Sequence, residues 1–485
     1  MTESFPRQQA RTRRFSLGVP RSFKVAPDGS RVAFLRSQGG ADPVTCLWQL
    51  HVDTGNEELL ADPAALEPAG EDLSPQEKAR RERTREQAGG IVGFATDRAM
   101  SVAAFTLAGR VYVASLPDSP SREPGAREPA TREPGIRELG ARSPALDPRP
   151  DPTGTRVAYV CGGALRVTRV DGDTADGGGD TALADPEGTP GLSYGLAEFI
   201  AAEEMGRIRG YWWAPDGASL LVARVDETPV QRWYIADPAN PDRPPAAVAY
   251  PSAGTPNAEV SLLLAGLDGR MVAVDTGGAA FPYLVTVSWD AGDPLIVVLS
   301  RDQRVMRLLA ADPATGATTV LREDTDPRWL DIVPGVPART GDADGDERIA
   351  WVAEAGGVRR LLVGTPEELA GGASAAVTPP TIQVREVLSV DGGTVLFTAS
   401  GADPTAIGLW LYRAGGLEEI SPPGGVHAGT RSGGTTVVTS RTLAYPGPEV
   451  RVLTDAPATG GAGPAATGGA GPAATEAARI AVLAE

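Results

Sequence analysis

Two adjacent carboxylates, Glu203 and Glu204, are the residues whose types and spacing most directly suggest binding chemistry. They end the segment LAEFIAAEEM, which predicts a helix over about residues 196–205. Carboxylates at that end of a helix repel each other and face the negative end of its dipole, which costs stability. One primary ammonium has three donors and could satisfy both. The pair is therefore a candidate ammonium site; the alternative is an exposed acidic turn paired with Arg207 or Arg209.

A second pattern suggests acyl chemistry. Gly191-Leu192-Ser193-Tyr194-Gly195 fits G-x-S-x-G, the nucleophile elbow of α/β-hydrolases, with Ser193 as nucleophile and His427 as base. An elbow requires a buried strand that runs into the turn, but PEGTPG precedes the serine and no α/β alternation surrounds it. We therefore predict no catalytic residue in this chain, and an independent hydrolase built on Ser193 is the disfavoured alternative.

A second predicted helix, in LSPQEKARRERTREQAGGI, has a strongly basic face. Ser74 can cap it, Pro75 suits the first helical position, and Gly89-Gly90 can end it. Its arginines are Arg80, Arg81, Arg83 and Arg85. The alternative is a solvated helix in which these arginines pair with the helix's own glutamates.

Metal and cofactor chemistry find little support in the sequence. There are two cysteines, Cys46 and Cys161, and two histidines, so neither a disulfide framework nor a Cys/His zinc cluster is predicted. The Asp-rich runs at 171–180 and 342–347 have no glycine at the sixth position, where a calcium loop requires one, and are interpreted as surface turns. No phosphate-binding loop of the G-x-x-x-x-G-K-[ST] type occurs. We expect no cofactor and no metal.

The composition narrows the class of protein and its partners. The net charge of the 485-residue chain is −17, which disfavours nucleic acid as a partner. No stretch approaches the roughly 18 apolar residues of a membrane span, so no membrane partner is expected. Sparse cysteines and the lack of an apolar leader favour the cytoplasm. The sequence leaves the oligomeric state open, and a homo-oligomer is one of the states considered.

The elements that must position these residues are short β-hairpins. Hairpin turns are predicted at Ala108-Gly109, Gly162-Gly163, Asp268-Gly269 and Gly356-Gly357, each between runs of β-branched or aromatic residues. Turns of the Pro-Asp-Gly type precede further apolar strands. This recurrence indicates radial β repeats, and stacked β domains are the competing architecture. The fold class predicted is all-β, a propeller with short helical insertions.

Two segments are of low complexity. Residues 121–142 repeat an Arg-Glu unit about every five residues with frequent proline, and we interpret them as a disordered insertion. TGGAGPAA occurs twice in tandem, which makes residues 456–476 a predicted linker. We expect the propeller to occupy residues 1–455, and residues 477–485 to begin a junction to something attached downstream.

The segment AEFIAAEEMGRIRGYWWAPDG resembles the paired-glutamate segment of the dipeptidyl peptidase IV family, in its cytosolic and bacterial subgroup. VDETPVQRWYI, YPSAGTPNAEVSL, SRDQRVMRLLAADPATG and REVLSVDGGTVLFTAS are similar to the strands that follow it. The resemblance covers nearly the whole chain in order. It implies an eight-bladed propeller above an α/β-hydrolase domain, with peptides that have a free N-terminus as substrates.

The same resemblance assigns the site residues. It implies that Glu203 and Glu204 bind the peptide ammonium and that Arg83 or Arg85 orients the substrate. The family's catalytic Ser, Asp and His belong to a later hydrolase domain, which we expect to be absent from this chain. The expected function is therefore the substrate-recognition and gating propeller of a serine dipeptidyl peptidase. The alternative is a stand-alone propeller that serves as a protein-interaction module.

Overall fold

The computed structural model describes residues 3–67, 73, 77–78, 81–82, 85–118, 135–172, 179–341, 346–444, 446–455 and 475–483. These residues form eight mainly antiparallel sheets of three to five strands and one two-stranded hairpin. The fold is an eight-bladed β-propeller, which confirms the predicted fold class. Most blades are built from strands consecutive in sequence, because each short turn returns the chain beside the strand it has just left.

One compact unit comprises Met1–Leu139 and Val333–Glu485. Its first two sheets contain β1 (Arg21–Val25), β2 (Arg31–Ser37), β3 (Val44–His51), β4 (Asn56–Ala61) and β5 (Gly89–Gly90), then β6 (Phe94–Thr96), β7 (Val102–Leu107), β8 (Arg110–Ser115) and β9 (Ile136–Glu138). Its other three sheets contain β25 (Ala338–Gly341), β26 (Glu347–Ala355) and β27 (Val358–Gly364); β28 (Gln383–Asp391), β29 (Thr394–Ser400), β30 (Gly408–Arg413) and β31 (Gly416–Glu419); and β32 (Val426–Ser432), β33 (Thr435–Arg441), β34 (Glu449–Thr454) and β35 (Thr475–Arg479). The helices whose full ranges are described in this unit are α1 (Phe5–Arg11), α2 (Pro63–Leu66) and α4 (Pro366–Ala370).

The other unit is Gly140–Ile332. Its sheets contain β10 (Ala145–Pro150), β11 (Arg156–Cys161), β12 (Ala164–Arg169) and β13 (Thr181–Ala184); β14 (Leu192–Leu196), β15 (Arg209–Trp213), β16 (Ser219–Asp226), β19 (Glu259–Gly266) and β20 (Met271–Val274); and β21 (Tyr283–Ser288), β22 (Leu295–Leu299), β23 (Val305–Ala311) and β24 (Thr318–Thr325). The hairpin β17 (Arg232–Ile235) and β18 (Ala246–Ala249) lies between β16 and β19 in sequence. Helix α3 (Phe199–Glu204) and a 3-10 turn (Gly278–Ala280) complete this unit.

In the first unit the earliest and latest sheets pack against each other. Val32 and Phe34 are fully buried with Val437 and Val452 in one apolar cluster. Gly29 has φ +73, and a Cβ there would lie 2.3 Å from the carbonyl oxygen of Gly433, so only glycine fits this close approach. Such burial contributes roughly 1.5–3 kcal/mol per large apolar side chain.

Two segments have more regular structure than the sequence predicts, one before the second unit and one near the end of the chain. Residues 475–479 form β35, which pairs with β34, and Ile480 is buried, so residues 475–483 complete the last blade where a linker and a junction were expected. Similarly, β9 pairs with β8 and Leu139 is buried, so the expected disordered insertion does not include residues 135–142. An open strand edge and an adjacent apolar side chain give both segments partners that composition does not reveal. Residues 119–134 and 456–474 lie outside the described part of the chain.

Candidate functional site

The paired glutamates lie on α3, which connects β14 to β15 in a single excursion from the sheet. The helix spans Phe199–Glu204 and is shorter than predicted, because Leu196 pairs with Arg209 as part of the β-ladder. A six-residue helix is not stable on its own, so tertiary contacts must hold it.

Glu198 is the residue that anchors the start of α3. Its Oε2 accepts a 2.9 Å hydrogen bond from the backbone N–H of Ala201, which caps the helix. Its Oε1 lies 3.6 Å from a terminal nitrogen of Arg207, and both side chains are buried. One buried carboxylate therefore connects the beginning of the helix to the chain that leaves it. Sequence reasoning missed Glu198, since an acidic residue before a helix is a common and unspecific signal.

Arg207 fixes the other end of the helix to the neighbouring sheet. Its Nε donates to the carbonyl oxygen of Leu284 at 3.1 Å, and a terminal nitrogen donates to that of Arg209 at 2.9 Å. Burial lowers the pKa of Arg207 to about 10, and the charge of Glu198 partly opposes this shift. The guanidinium remains charged at neutral pH, so it needs its carboxylate partner.

Arg209 is likewise engaged inside the unit. Its guanidinium carbon lies 5.5 Å from the ring centroid of Trp212. Burial, followed by the nearby charge of Arg149, lowers the pKa of Arg209 to about 10. Both arginines thus have contacts with the sheets of their own unit.

Glu203 and Glu204 are both exposed on the last turn of α3. Neighbouring helix positions point roughly 100° apart, so a ligand shared by the two carboxylates would sit across the helix end. Phe199, on the same helix, packs edge to face against Tyr250, with 5.2 Å between the ring centroids. The ring centroids of Tyr250 and of Trp233 on the hairpin are 4.5 Å apart. The carboxylates therefore project from a helix that is fixed by buried contacts at its base.

The predicted basic helix is described only in part. Glu77, Lys78, Arg81 and Glu82 have helical backbone, while Ser74, Pro75, Arg80 and Arg83 lie outside the described residues. Arg81 is buried and its Nε lies 2.8 Å from Glu77, as the paired-helix alternative expects for this arginine. Arg85 is exposed and has a left-handed backbone with φ 54. It belongs to the unit of the first sheets, whereas the paired glutamates belong to Gly140–Ile332.

Ser193 does not sit on an elbow. It lies within β14 opposite Val225 of β16, in an antiparallel ladder and not at a strand-to-helix turn. His427 is buried: its Nε2 donates to the carbonyl oxygen of Gly424 at 2.7 Å, and its Nδ1 lies 2.9 Å from the hydroxyl of Ser440. Both ring nitrogens of His427 are therefore already used within its own blade.

In the described part of the chain, no group of three or more His, Cys, Asp or Glu side chains is placed to hold a metal ion. Most of both Asp-rich runs lies outside that part. None of the helices formed by the described residues has the length and apolar character needed to cross a bilayer.

Comparisons with known proteins find sequences that are similar to this chain. The model of the family described as "Dipeptidyl peptidase IV (DPP IV) N-terminal region" matches residues 115–439. A probable dipeptidyl-aminopeptidase B of Tuber melanosporum (strain Mel28) is 25% identical over 215 residues, covering 39% of this chain and 24% of that protein. A venom dipeptidyl peptidase 4 of Apis mellifera is 28% identical over 175 residues, covering 33% and 22%. An inactive dipeptidyl peptidase 10 of Mus musculus is 27% identical over 144 residues, covering 28% and 18%.

Solved structures show the same fold. The crystal structure of Porphyromonas gingivalis dipeptidyl peptidase 4 superposes with a TM-score of 0.69 at 18% identity, covering 94% of this chain and 60% of that one. A putative dipeptidyl aminopeptidase IV from Bacteroides ovatus gives a TM-score of 0.61 at 17% identity, with coverages of 90% and 58%. This chain thus matches about three fifths of each solved chain and about a quarter or less of the curated relatives.

Proposed function

This chain belongs to the dipeptidyl peptidase IV family, in its N-terminal region, and we propose that it is the substrate-recognition and gating propeller of a serine dipeptidyl peptidase. The observation that carries the proposal is the pair of exposed carboxylates, Glu203 and Glu204, on a short helix held by a buried ion pair. A rigid base matters because a charge-assisted hydrogen bond discriminates only when its acceptors are held in place.

Recognition of the peptide's ammonium would set the register of cleavage. Two carboxylate acceptors that bind the N-terminal ammonium hold the first residue at a fixed place, so the same later bond is always presented for cleavage. Blocked N-termini lack the ammonium and lose this contact. Either Arg83 or Arg85 is the proposed residue that orients the peptide backbone, because a guanidinium fork suits carbonyl and carboxylate oxygens.

Bond cleavage would be performed by a Ser-His-Asp triad on a companion α/β-hydrolase domain. In that arrangement the propeller binds, orients and excludes substrates, and the hydrolase domain supplies the nucleophile and the oxyanion donors. We expect the 485-residue chain alone to release no dipeptide from a chromogenic Xaa-Pro substrate. Ser193→Ala should leave that result unchanged.

The test joins this chain to the hydrolase domain of a close relative and measures dipeptide release. Glu203→Ala or Glu204→Ala should each lower kcat/KM by tenfold or more, because a hydrogen bond to a charged group contributes about 1.5–3 kcal/mol and 1.4 kcal/mol is tenfold. Glu259→Ala is the matched control, since this exposed glutamate of the same unit carries the same charge on strand β19. An N-acetylated substrate should be cleaved equally poorly by all variants. Normal cleavage of free-amine substrates by both variants would contradict the ammonium site and leave the family assignment intact.

A stand-alone interaction module is the second candidate function. It is favoured by one observation: a relative named inactive dipeptidyl peptidase 10 is similar to 28% of this chain. The two functions differ in what accompanies the chain. A gene directly downstream that encodes a hydrolase with a serine elbow would favour the peptidase function. A genome without a gene for such a companion hydrolase would favour the interaction module.

Two further proposals concern location and assembly. The cytoplasm is the proposed location of this protein, and cell fractionation tests it. Homo-oligomerisation is also a proposal, and the exposed side chains Trp233, Tyr234 and Ile235 of the β17–β18 hairpin are where a contact between copies would bury apolar surface. Sedimentation velocity would show whether the chain is a monomer.

A further inference from the structure

A cavity rich in arginine lies beside the first blade, away from the paired-glutamate helix in sequence. Its volume is about 220 Å³. The turn after α1, strands β1 to β3 and the residues just before β5 form its walls. Four arginine residues line it, Arg13, Arg21, Arg36 and Arg85. This concentration of positive charge stands in a chain whose net charge is −17.

Two of the four guanidinium groups have carboxylate partners. A terminal nitrogen of Arg21 lies 2.8 Å from Glu86, which also lines the cavity. A terminal nitrogen of Arg36 lies 2.5 Å from Glu57. Arg13 donates to the backbone carbonyl of Gln87, which carries no net charge.

Arg85 forms no ion pair with any residue of the described part of the chain. Arg13 has a neutral partner, so among the described residues no counter-charge pairs with two of the positive charges that line this small cavity. Like charges at close range repel each other, and an anion between them removes that repulsion.

Two buried N–H donors without acceptors also favour an anion site. Arg36 is only 3% exposed, yet its Nε has no hydrogen-bond acceptor among the described residues. A terminal nitrogen of Arg21 is likewise buried without an acceptor. Buried donors that lack acceptors are costly, and a guanidinium group offers its N–H donors in a fork that matches phosphate and carboxylate oxygens.

We propose that this cavity is a binding site for a small oxyanion, that is, a phosphate or carboxylate group. The cavity is large enough for such a group with several waters, since each water occupies about 30 Å³ in the liquid. The exposed side chain of Arg85 and the partly exposed Arg21 leave it open to solvent. Glu203 and Glu204 do not line this cavity, and Arg85 is the residue that the two proposals share.

The experiment measures the thermal unfolding of the full chain with increasing inorganic phosphate, sodium acetate or sodium chloride at constant ionic strength. A ligand that binds the folded state raises Tm in proportion to the logarithm of its concentration above Kd. Phosphate, alone or together with acetate, should raise Tm with this logarithmic dependence, whereas chloride should not. A response to phosphate alone would assign a phosphate site, and a response to acetate as well would assign a general carboxylate and phosphate site.

Arg13→Gln and Arg14→Gln form a matched pair of variants. Both residues have left-handed backbone, with φ 48 and 61, and both substitutions remove one charge, but only Arg13 lines the cavity. Arg13→Gln should weaken binding by tenfold or more, and Arg14→Gln should leave it within twofold of the parent. Equal affinities in the two variants, or equal responses to phosphate and chloride in the parent, would overturn the proposal. Isothermal titration with Arg85→Gln provides the same comparison if Arg13→Gln does not fold.

Discussion

Replacing Glu198 by alanine tests whether the paired-glutamate helix is held from its buried base. The substitution removes the cap on Ala201 and the carboxylate beside Arg207 in one step. Arg207 would keep its hydrogen bonds to the carbonyl oxygens of Leu284 and Arg209. Its charge would then be buried with only neutral acceptors, which would lower the pKa of Arg207 further.

The expected loss follows from these contacts. An N-cap contributes about 1 kcal/mol to stability, and removing one partner of a buried ion pair costs about 3–5 kcal/mol. The 3.6 Å separation of the charged atoms and the two remaining hydrogen bonds of Arg207 favour the lower part of that range. We therefore expect Glu198→Ala to lower the free energy of unfolding by about 4–5 kcal/mol in total.

Urea unfolding followed by tryptophan fluorescence is a suitable assay, because Trp212 and Trp213 lie on β15, directly after the helix. Glu204→Ala, an exposed change on the same helix, should stay within about 0.5 kcal/mol of the parent. The double variant Glu198→Ala/Arg207→Met should recover part of the loss, since no charge is then left unpaired. A loss below about 1 kcal/mol for Glu198→Ala, or no recovery in the double variant, would refute the reasoning.

Two other predictions concern a backbone contact and a buried thiol. Gly335→Ala should destabilise the protein by about 2 kcal/mol or more beyond Gly372→Ala. Both glycines have positive φ, but only at Gly335 would a Cβ meet a carbonyl oxygen, that of Val387 at 1.7 Å. Urea unfolding of the two variants measures the difference, and equal losses of stability would contradict the prediction. Burial, with a smaller contribution from the charge of Asp62, raises the pKa of Cys46 from 9.0 to about 12, so in the folded protein a disulfide reagent at pH 8 should label Cys161 first and Cys46 only on unfolding. Because the folded pKa of Cys46 is the higher one, its contribution to stability is complete below pH 9 and is lost as the pH rises towards 12.

Local signals in the sequence predicted the blades well. The hairpin turns at Ala108-Gly109 and Gly162-Gly163 occur where predicted, with positive φ at all four residues. Such a turn depends on the conformational preferences of two residues and on the strands beside them, so a short window of sequence contains the information. The number of blades came from resemblance to a family, since no local rule counts repeats.

Local signals failed where an element depends on a distant partner. Residues 135–142 were predicted as part of a low-complexity insertion, 475–476 as the end of a linker and 477–479 as part of a junction. The open edges of β8 and β34 supply hydrogen-bond partners, however, and residues 136–138 and 475–479 form strands. The helix prediction began too early for the same reason, because Leu196 is taken up by the ladder with β15. Strand pairing is decided by what lies beside a segment in space.

The sequence by itself determined the all-β class and the position of the hairpin turns at Ala108-Gly109 and Gly162-Gly163, because each of these depends on residues that are neighbours along the chain. Only the tertiary structure decided that Glu198 and Arg207 form the buried base of the helix, and that Arg13, Arg21, Arg36 and Arg85 line one cavity. The physical reason is that burial removes a charged group from water, so the stability of the fold depends on which partner that group meets. Which charges meet is set by how the strands and connecting segments pack, and a reading of neighbouring residues does not contain that information.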